Sequence, residues 1–272
     1  MKNVILLIFT AFLFTGHALA KDVTVNESNN NKQVETKITT TSNESEEFDD
    51  EFDDEFSQNE TEEIFDPLSG YNRVMTNFND FVFINAINPV AKGYAYVVPE
   101  PARVGISNVF DNLMFPVRFV NNVLQLKFGN ATEELGRFVI NSTFGIAGLM
   151  DPAKTELGWV AHDEDFGQTL GHYGVGSGFH IVLPLLGPSN LRDMVSMVPN
   201  GYIDPLSYTG ANDIGYKIPH NGLEAMGYTA GKNLNSVSLK LGQYENIKKD
   251  ALDLYPFLRD IYEQKRDKEI EE

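Results

Sequence analysis

Five residues with metal-ligand or acid/base side chains fall close together: His162, Asp163, Glu164, Asp165 and His172. A zinc site needs ligands aimed at one point, and helical zinc motifs achieve this with two histidines one turn apart, a spacing absent here. The three consecutive carboxylates also form a poor acid/base pair, because neighbouring side chains diverge unless a fold bends them toward one substrate. The densest glycine cluster, Gly171-His172-Tyr173-Gly174-Val175-Gly176-Ser177-Gly178, invites comparison with phosphate-binding loops. It lacks their Gly-Lys-Ser/Thr ending and does not clearly join a strand to a helix. Ser177 is flanked directly by glycines, which is not the Gly-x-Ser-x-Gly frame of a nucleophile elbow. Glycines at this density serve tight turns or close backbone packing. His180 and His220 are isolated, as structural histidines are. The expectation is a chain with no catalytic residue, no metal site and no cofactor, hence not an enzyme.

The elements that would position these groups are helical. Asp66 can cap a helix and Pro67 fits its first turn. Tyr71, Val74, Met75, Phe78, Phe81 and Val82 recur at three- and four-residue spacing, which predicts a buried helical stripe ending before Asn88-Pro89. Further helical patterns cover 101–114, 116–127, 132–144, 190–198, 223–241 and 256–269. Two apolar stretches, 144–150 and 179–186, are too short to cross a bilayer. They read either as buried core or as segments entering one leaflet. Pro184 breaks the second, and Gly145 and Gly148 loosen the first. The strand signal is weak elsewhere, and an all-α or mainly α domain is predicted.

The ends carry other information. Lys2, the apolar run from Val4 to Phe14 and Ala18-Leu19-Ala20 make residues 1–20 a secretory signal peptide. Residues 21–63 are polar and acidic and cannot bury enough surface to offset chain entropy, so they are predicted to be a disordered leader. Within it Phe48, Phe52 and Phe56 repeat at helical spacing, either a partner-induced face or scattered aromatics on a solvated spacer. The folded domain is then 64–272. The formal charge of -18 resides largely in the leader. It disfavours nucleic acid, whose phosphates would be repelled, and long-range attraction to anionic headgroups. Membrane contact must come from apolar surface. The chain has no cysteine, so it forms no disulfide and offers no thiol for lipid attachment.

Several segments together resemble one family. Asp66-Pro67-Leu68-Ser69-Gly70-Tyr71-Asn72-Arg73-Val74-Met75-Thr76-Asn77-Phe78-Asn79 is similar to the opening block of the MlaA/VacJ proteins. Val98-Pro99-Glu100-Pro101-Ala102-Arg103-Val104-Gly105-Ile106-Ser107-Asn108, Arg137-Phe138-Val139-Ile140-Asn141-Ser142-Thr143 and Asp165-Phe166-Gly167-Gln168-Thr169-Leu170-Gly171-His172-Tyr173-Gly174-Val175-Gly176 follow in the family's order. Leu183-Pro184 through Pro188-Ser189-Asn190-Leu191-Arg192-Asp193 completes it.

The resemblance implies a ring-like helical domain with short interfacial helices and a glycine-rich loop region, set in the inner leaflet of the bacterial outer membrane. An amphipathic channel would admit misplaced phospholipids and pass them to a periplasmic carrier of the MlaC type, with trimeric porins as membrane partners. It further implies a sensitive Asn-Phe element, here Asn77 and Phe78, and a gating loop whose pivots would be Gly145 and Gly148. A second Asn-Phe of some relatives is replaced by Asn79-Asp80-Phe81. Family members commonly carry a lipidated cysteine at the cleavage site, whereas Ala20 here precedes Lys21. The alternatives are a soluble periplasmic lipid-binding or adaptor protein without a channel and, third, a hydrolase using the region from His162 to His172.

Overall fold

A computed structural model describes residues 65–210 and 215–272. The signal peptide and the acidic leader with its three phenylalanines lie outside the described residues. The described chain is helical apart from one hairpin. In order it forms α1 (Ser69–Val82), a π-helical turn (Phe83–Ile87), α2 (Asn88–Val97), α3 (Glu100–Leu113), α4 (Phe115–Leu124) and α5 (Phe128–Thr143). There follow α6 (Pro152–Leu157), α7 (Phe166–His172), strands β1 (His180–Leu183) and β2 (Gly187–Asn190), and α8 (Leu191–Ile203). The last helices are α9 (Gly222–Leu239), α10 (Gln243–Asp250) and α11 (Leu254–Glu271).

Local chemistry sets the ends of these helices. Prolines occupy the first turns of α2, α3, α4 and α6, where a missing N–H costs nothing. Asp151, Asp165, Asn190 and Asn221 accept backbone N–H groups as side-chain caps. Asp66 does not play this part, because α1 starts from Leu68 without a side-chain cap. Nor does the first helix stop before Asn88-Pro89. The Asn88 amide reaches back five residues to the Phe83 carbonyl, and this widened turn accommodates the proline at the start of α2.

The largest departure from expectation concerns which face of α1 is inside. Tyr71, Val74, Phe78 and Phe81 of the apolar stripe are exposed, and the buried residues are Asn72 and Thr76. Asn72 donates from Nδ2 to the His180 carbonyl and to the Tyr255 hydroxyl, both at 3.1 Å, and its Oδ1 accepts the Val182 amide at 2.8 Å. Two helical turns on, Asn79 donates to the Leu183 carbonyl at 3.0 Å and accepts the Leu185 amide at 2.6 Å. The two amides bond the edge of β1 as a further strand would. On its other edge β1 pairs antiparallel with β2, from His180 opposite Asn190 to Leu183 opposite Gly187. This is why the second apolar stretch is a strand and a turn.

Replacing Asn72 with alanine is expected to cost about 1–3 kcal/mol, since it leaves the Val182 amide and the His180 carbonyl buried without those partners. The midpoint of thermal unfolding in detergent checks this; an unchanged midpoint would show that the hairpin stands without α1.

The inversion extends beyond α1. Among the described residues ten apolar side chains are buried against twenty-five polar or charged ones. Phe144, Ile146, Val195, Val198 and Leu223 are all more than half exposed. A soluble domain of this size buries the reverse mixture.

The interior is joined by amides and ion pairs. Arg118 meets the fully buried Glu134 at 2.6 Å between α4 and α5, and Gln125 and Lys127 both donate to Glu164 at 2.6 Å. Asn235 of α9 donates to the Arg103 carbonyl at 2.8 Å, while the Arg103 guanidinium donates to the Ser238 carbonyl at 2.5 Å. α10 is held by Lys248 on Asp80 at 2.7 Å and by Tyr244 against Phe83. The packing closes on itself: α1, the π-helical turn, α2, α9, α3, α4, α7 and α11 each touch the next, and α11 returns to α1. No described helix is long and apolar enough to cross a membrane.

Candidate functional site

The cluster singled out first disperses in three dimensions. His162 sits 3.3 Å from Glu133, Asp163 lies 3.9 Å from Arg118, and Glu164 is held by Gln125 and Lys127. Asp165 caps α7 and pairs with Arg266, and the His172 ring stacks edge-on to Tyr173. Among the described residues no three such side chains gather where they could hold a metal ion. Within the glycine cluster, Gly171 and Gly178 serve close packing, as a Cβ would collide with Ile270 of α11 and with Leu191 respectively.

The arrangement nearest to acid/base machinery is His180, whose Nδ1 lies 2.9 Å from Glu263. His180 is buried, and its Nε2 has no hydrogen-bond partner among the described residues.

The four residues matched to the family's sensitive elements occupy two separate places. Asn77 and Phe78 are exposed on α1 beside Val74 and Phe81. Gly145 and Gly148 belong to a tight turn after α5. There Ile146 and Ala147 have φ of 54° and 55° and Gly148 has φ of 90°. A Cβ on Gly145 would overlap the carbonyl oxygens of Asn141 and Met150, and one on Gly148 would sit 2.8 Å from Asn112 Cβ.

Asn108 donates to the Leu149 carbonyl at 3.1 Å and Asn112 to the Ser142 hydroxyl at 2.9 Å, so α3 clamps the turn from one side. From the other, Asp151 accepts Asn141 at 2.8 Å and Arg137 at 3.0 Å. The result is a knob presenting Phe144, Ile146 and Met150 to the outside. Between it and α3 lies an open cleft of about 440 Å³ bordered by Val104, Gly105, Leu149 and Met150, with Glu100 and Asp151 at its polar rim.

The inner side of the circuit has a different character. Lys232 on α9 is partly buried, and the Asp165 side chain at the start of α7 is 35% exposed. Burial pushes the Lys232 ammonium below its ordinary range, against the pull of Asp204, Asp111 and Asp163. At Asp165 burial opposes ionisation, but the charge and hydrogen bonds of Arg266 and the amides of Gln168 and Gly167 outweigh it and hold the carboxyl below its usual range. Asp151 is lowered likewise, by Asn141, Arg137 and the Lys154 amide acting against burial.

These two depressed carboxyls favour the folded state above the ordinary carboxylate range near pH 4, and that stabilisation is lost as pH falls through their lower folded values. The unfolding midpoint in detergent is expected to be level from about pH 5 to 7 and to drop below about pH 4. A midpoint level down to pH 3 would contradict it.

The sequence profile of the MlaA lipoprotein family matches residues 64–269. The chain belongs to the MlaA family. An Escherichia coli relative, the intermembrane phospholipid transport system lipoprotein MlaA, is 35% identical over 206 residues, covering 74% of this chain and 77% of the relative. A Rickettsia felis protein of uncharacterised function is 30% identical over 210 residues, 77% of this chain and 79% of that one. A solved structure described as "Structural basis for maintenance of bacterial outer membrane lipid asymmetry" superposes with a TM-score of 0.63 at 28% identity, covering 75% of this chain and 98% of the other.

Membership in the MlaA family gives the helical circuit and the inverted polarity a common context.

Proposed function

We propose that this protein moves phospholipid in the upkeep of outer-membrane lipid asymmetry, acting from the periplasmic leaflet of that membrane without chemistry of its own. The carrying observation is the inverted polarity: an amide- and ion-rich interior, and phenylalanine, valine, leucine and methionine facing out. A phospholipid needs a wet path for its head and an apolar wall for its tails. Exposed apolar surface on this scale marks contact with membrane or partner. In this reading outer-leaflet phospholipid enters an amphipathic channel within the helical circuit and passes to a periplasmic carrier of the MlaC type, trimeric porins serve as membrane partners, and the knob at 144–150 gates the path. The E. coli relative's role in phospholipid transport supports this reading.

Deleting the gene is expected to raise outer-leaflet phospholipid and sensitivity to detergent, with both restored by the full chain; unchanged outer-leaflet phospholipid in a clean deletion removes the proposal. The chain has no cysteine, which favours a peripheral lipid-binding or adaptor protein as the second reading. Flotation of the protein with outer membranes after a high-salt wash decides between them, since only a protein held by apolar contact stays bound.

A further inference from the structure

The π-helical turn at Phe83–Ile87 is the joint between α1 and α2. A turn widened in this way departs from the regular ladder, and helices bend at such turns. α10 lies along the joint and engages both sides of it. Before the turn, Asp80 accepts Lys248 Nζ at 2.9 Å on Oδ1 and 2.7 Å on Oδ2, and it also accepts the Tyr244 hydroxyl at 2.9 Å. Within the turn, the Phe83 ring centroid lies 4.4 Å from that of Tyr244. After it, Glu245 accepts the Asn88 amide at 2.5 Å and lies 3.8 Å from the Lys92 ammonium. Tyr244 and Lys248 are one helical turn apart on α10, as Asn88 and Lys92 are on α2, so each pair shares a face.

The connectivity requires this crossing. α9 packs on α2 and α11 packs on α1, so the chain between α9 and α11 runs from the α2 side of the joint to the α1 side. α10 makes that passage, its first turn meeting α2 through Glu245 and its last turn meeting α1 through Lys248. Yet no residue of α10 is buried. Its hold is polar and half in solvent, with the side chain of Lys248 40% and that of Lys92 59% exposed, so salt screens it and each pair contributes little. Both ends can pivot: Gly242 has φ of 89° before the helix, and Ala251 is extended after it, next to a fully exposed Leu252. A short rigid segment fixed by a few polar bonds between two pivots opens at low cost.

We propose that the π-helical turn is a hinge of the helical circuit and that α10 is its releasable splint. With Asp80 and Glu245 engaged, α1 and α2 are held at one angle; on release they part and widen the circuit for an entering phospholipid. The widening for lipid rests on the transport reading above, and the hinge does not. The chain has no cysteine, so introduced thiols take up spin labels without background. In full-length protein held in amphipol, Tyr71→Cys with Tyr96→Cys reports the span of α1 and α2, and Val90→Cys with Asn246→Cys reports α10 against α2. Narrow distance distributions are expected for both pairs. Asp80→Lys, which sets like charge against Lys248, is expected to broaden both, and adding Lys248→Asp to restore them. Glu245→Lys, alone and with Lys92→Glu, gives a second, independent set, and circular dichroism confirms each fold. Uptake of fluorescent phosphatidylethanolamine from phosphatidylethanolamine and phosphatidylglycerol vesicles is expected to quicken about three-fold in Asp80→Lys and to return in the charge swap. Distributions unchanged in both folded charge reversals, or a released α10 with the span of α1 and α2 unmoved, overturn the splint. A broadened span with unchanged uptake overturns its part in lipid entry and leaves the transport reading standing. Wild type that takes up no phospholipid overturns the transport reading, while the distances still decide the hinge.

Discussion

Replacing Arg266 with alanine is expected to destabilise the domain by about 3–5 kcal/mol, the cost of stripping a buried ion pair of one partner. Arg266 donates to Asp165 at 3.0 Å and to Asp193 at 2.8 Å, and only 9% of its side chain is exposed. Its pKa is driven further up by the two carboxylates against the opposing effect of burial. Asp193 also accepts the Tyr262 hydroxyl at 2.5 Å, so removing the guanidinium leaves two carboxylates and a phenol at the seam between α7, α8 and α11. That seam closes the helical circuit, and the loss there should be cooperative. For a domain of this size the expected fall in unfolding temperature in detergent is about 10 °C. Arg266→Lys should recover part of it, because an ammonium cannot present the planar fork that spans both acids. A change of less than a degree in Arg266→Ala would show that the circuit does not depend on this seam.

The second large effect is expected at Gly145. A valine there forces its Cβ into the carbonyls of Asn141 and Met150, and backbone cannot yield as a flexible side chain can. A loss of about 1–3 kcal/mol is expected from overpacking alone, together with failure to clear outer-leaflet phospholipid if the knob gates the path. Gly148→Ala should be impaired for a second reason, since its φ of 90° disfavours any Cβ. Gly93, where a Cβ meets nothing within 4 Å, provides the control. Alanine at that helical position should be neutral or stabilise by about 0.5–1 kcal/mol. If Gly145→Val clears outer-leaflet phospholipid as well as wild type does, the knob is not the gate.

The knob also shows what glycine spacing alone does not report. Gly145 and Gly148 looked like points of freedom because glycine in isolation is permissive. In the fold they are also positions of little room, because Asn112, Asn141 and Met150 leave no space for a side chain. The hairpin was hidden for a related reason. Residues 180–183 form a strand because amides of Asn72 and Asn79, more than a hundred residues earlier, bond its edge, and no local pattern reports such a partner.

Periodicity, proline placement and capping residues determined that this chain is helical and roughly where most helices run, because those are short-range effects written into neighbouring side chains. The ordered motif blocks determined its family. Which face of each helix turns inward was decided only by the tertiary structure. An apolar stripe at helical spacing is compatible with a protein core and with lipid alike, since both are apolar. Only the closing of the circuit, which turns Asn72, Glu134 and Asn235 inward, settles that choice.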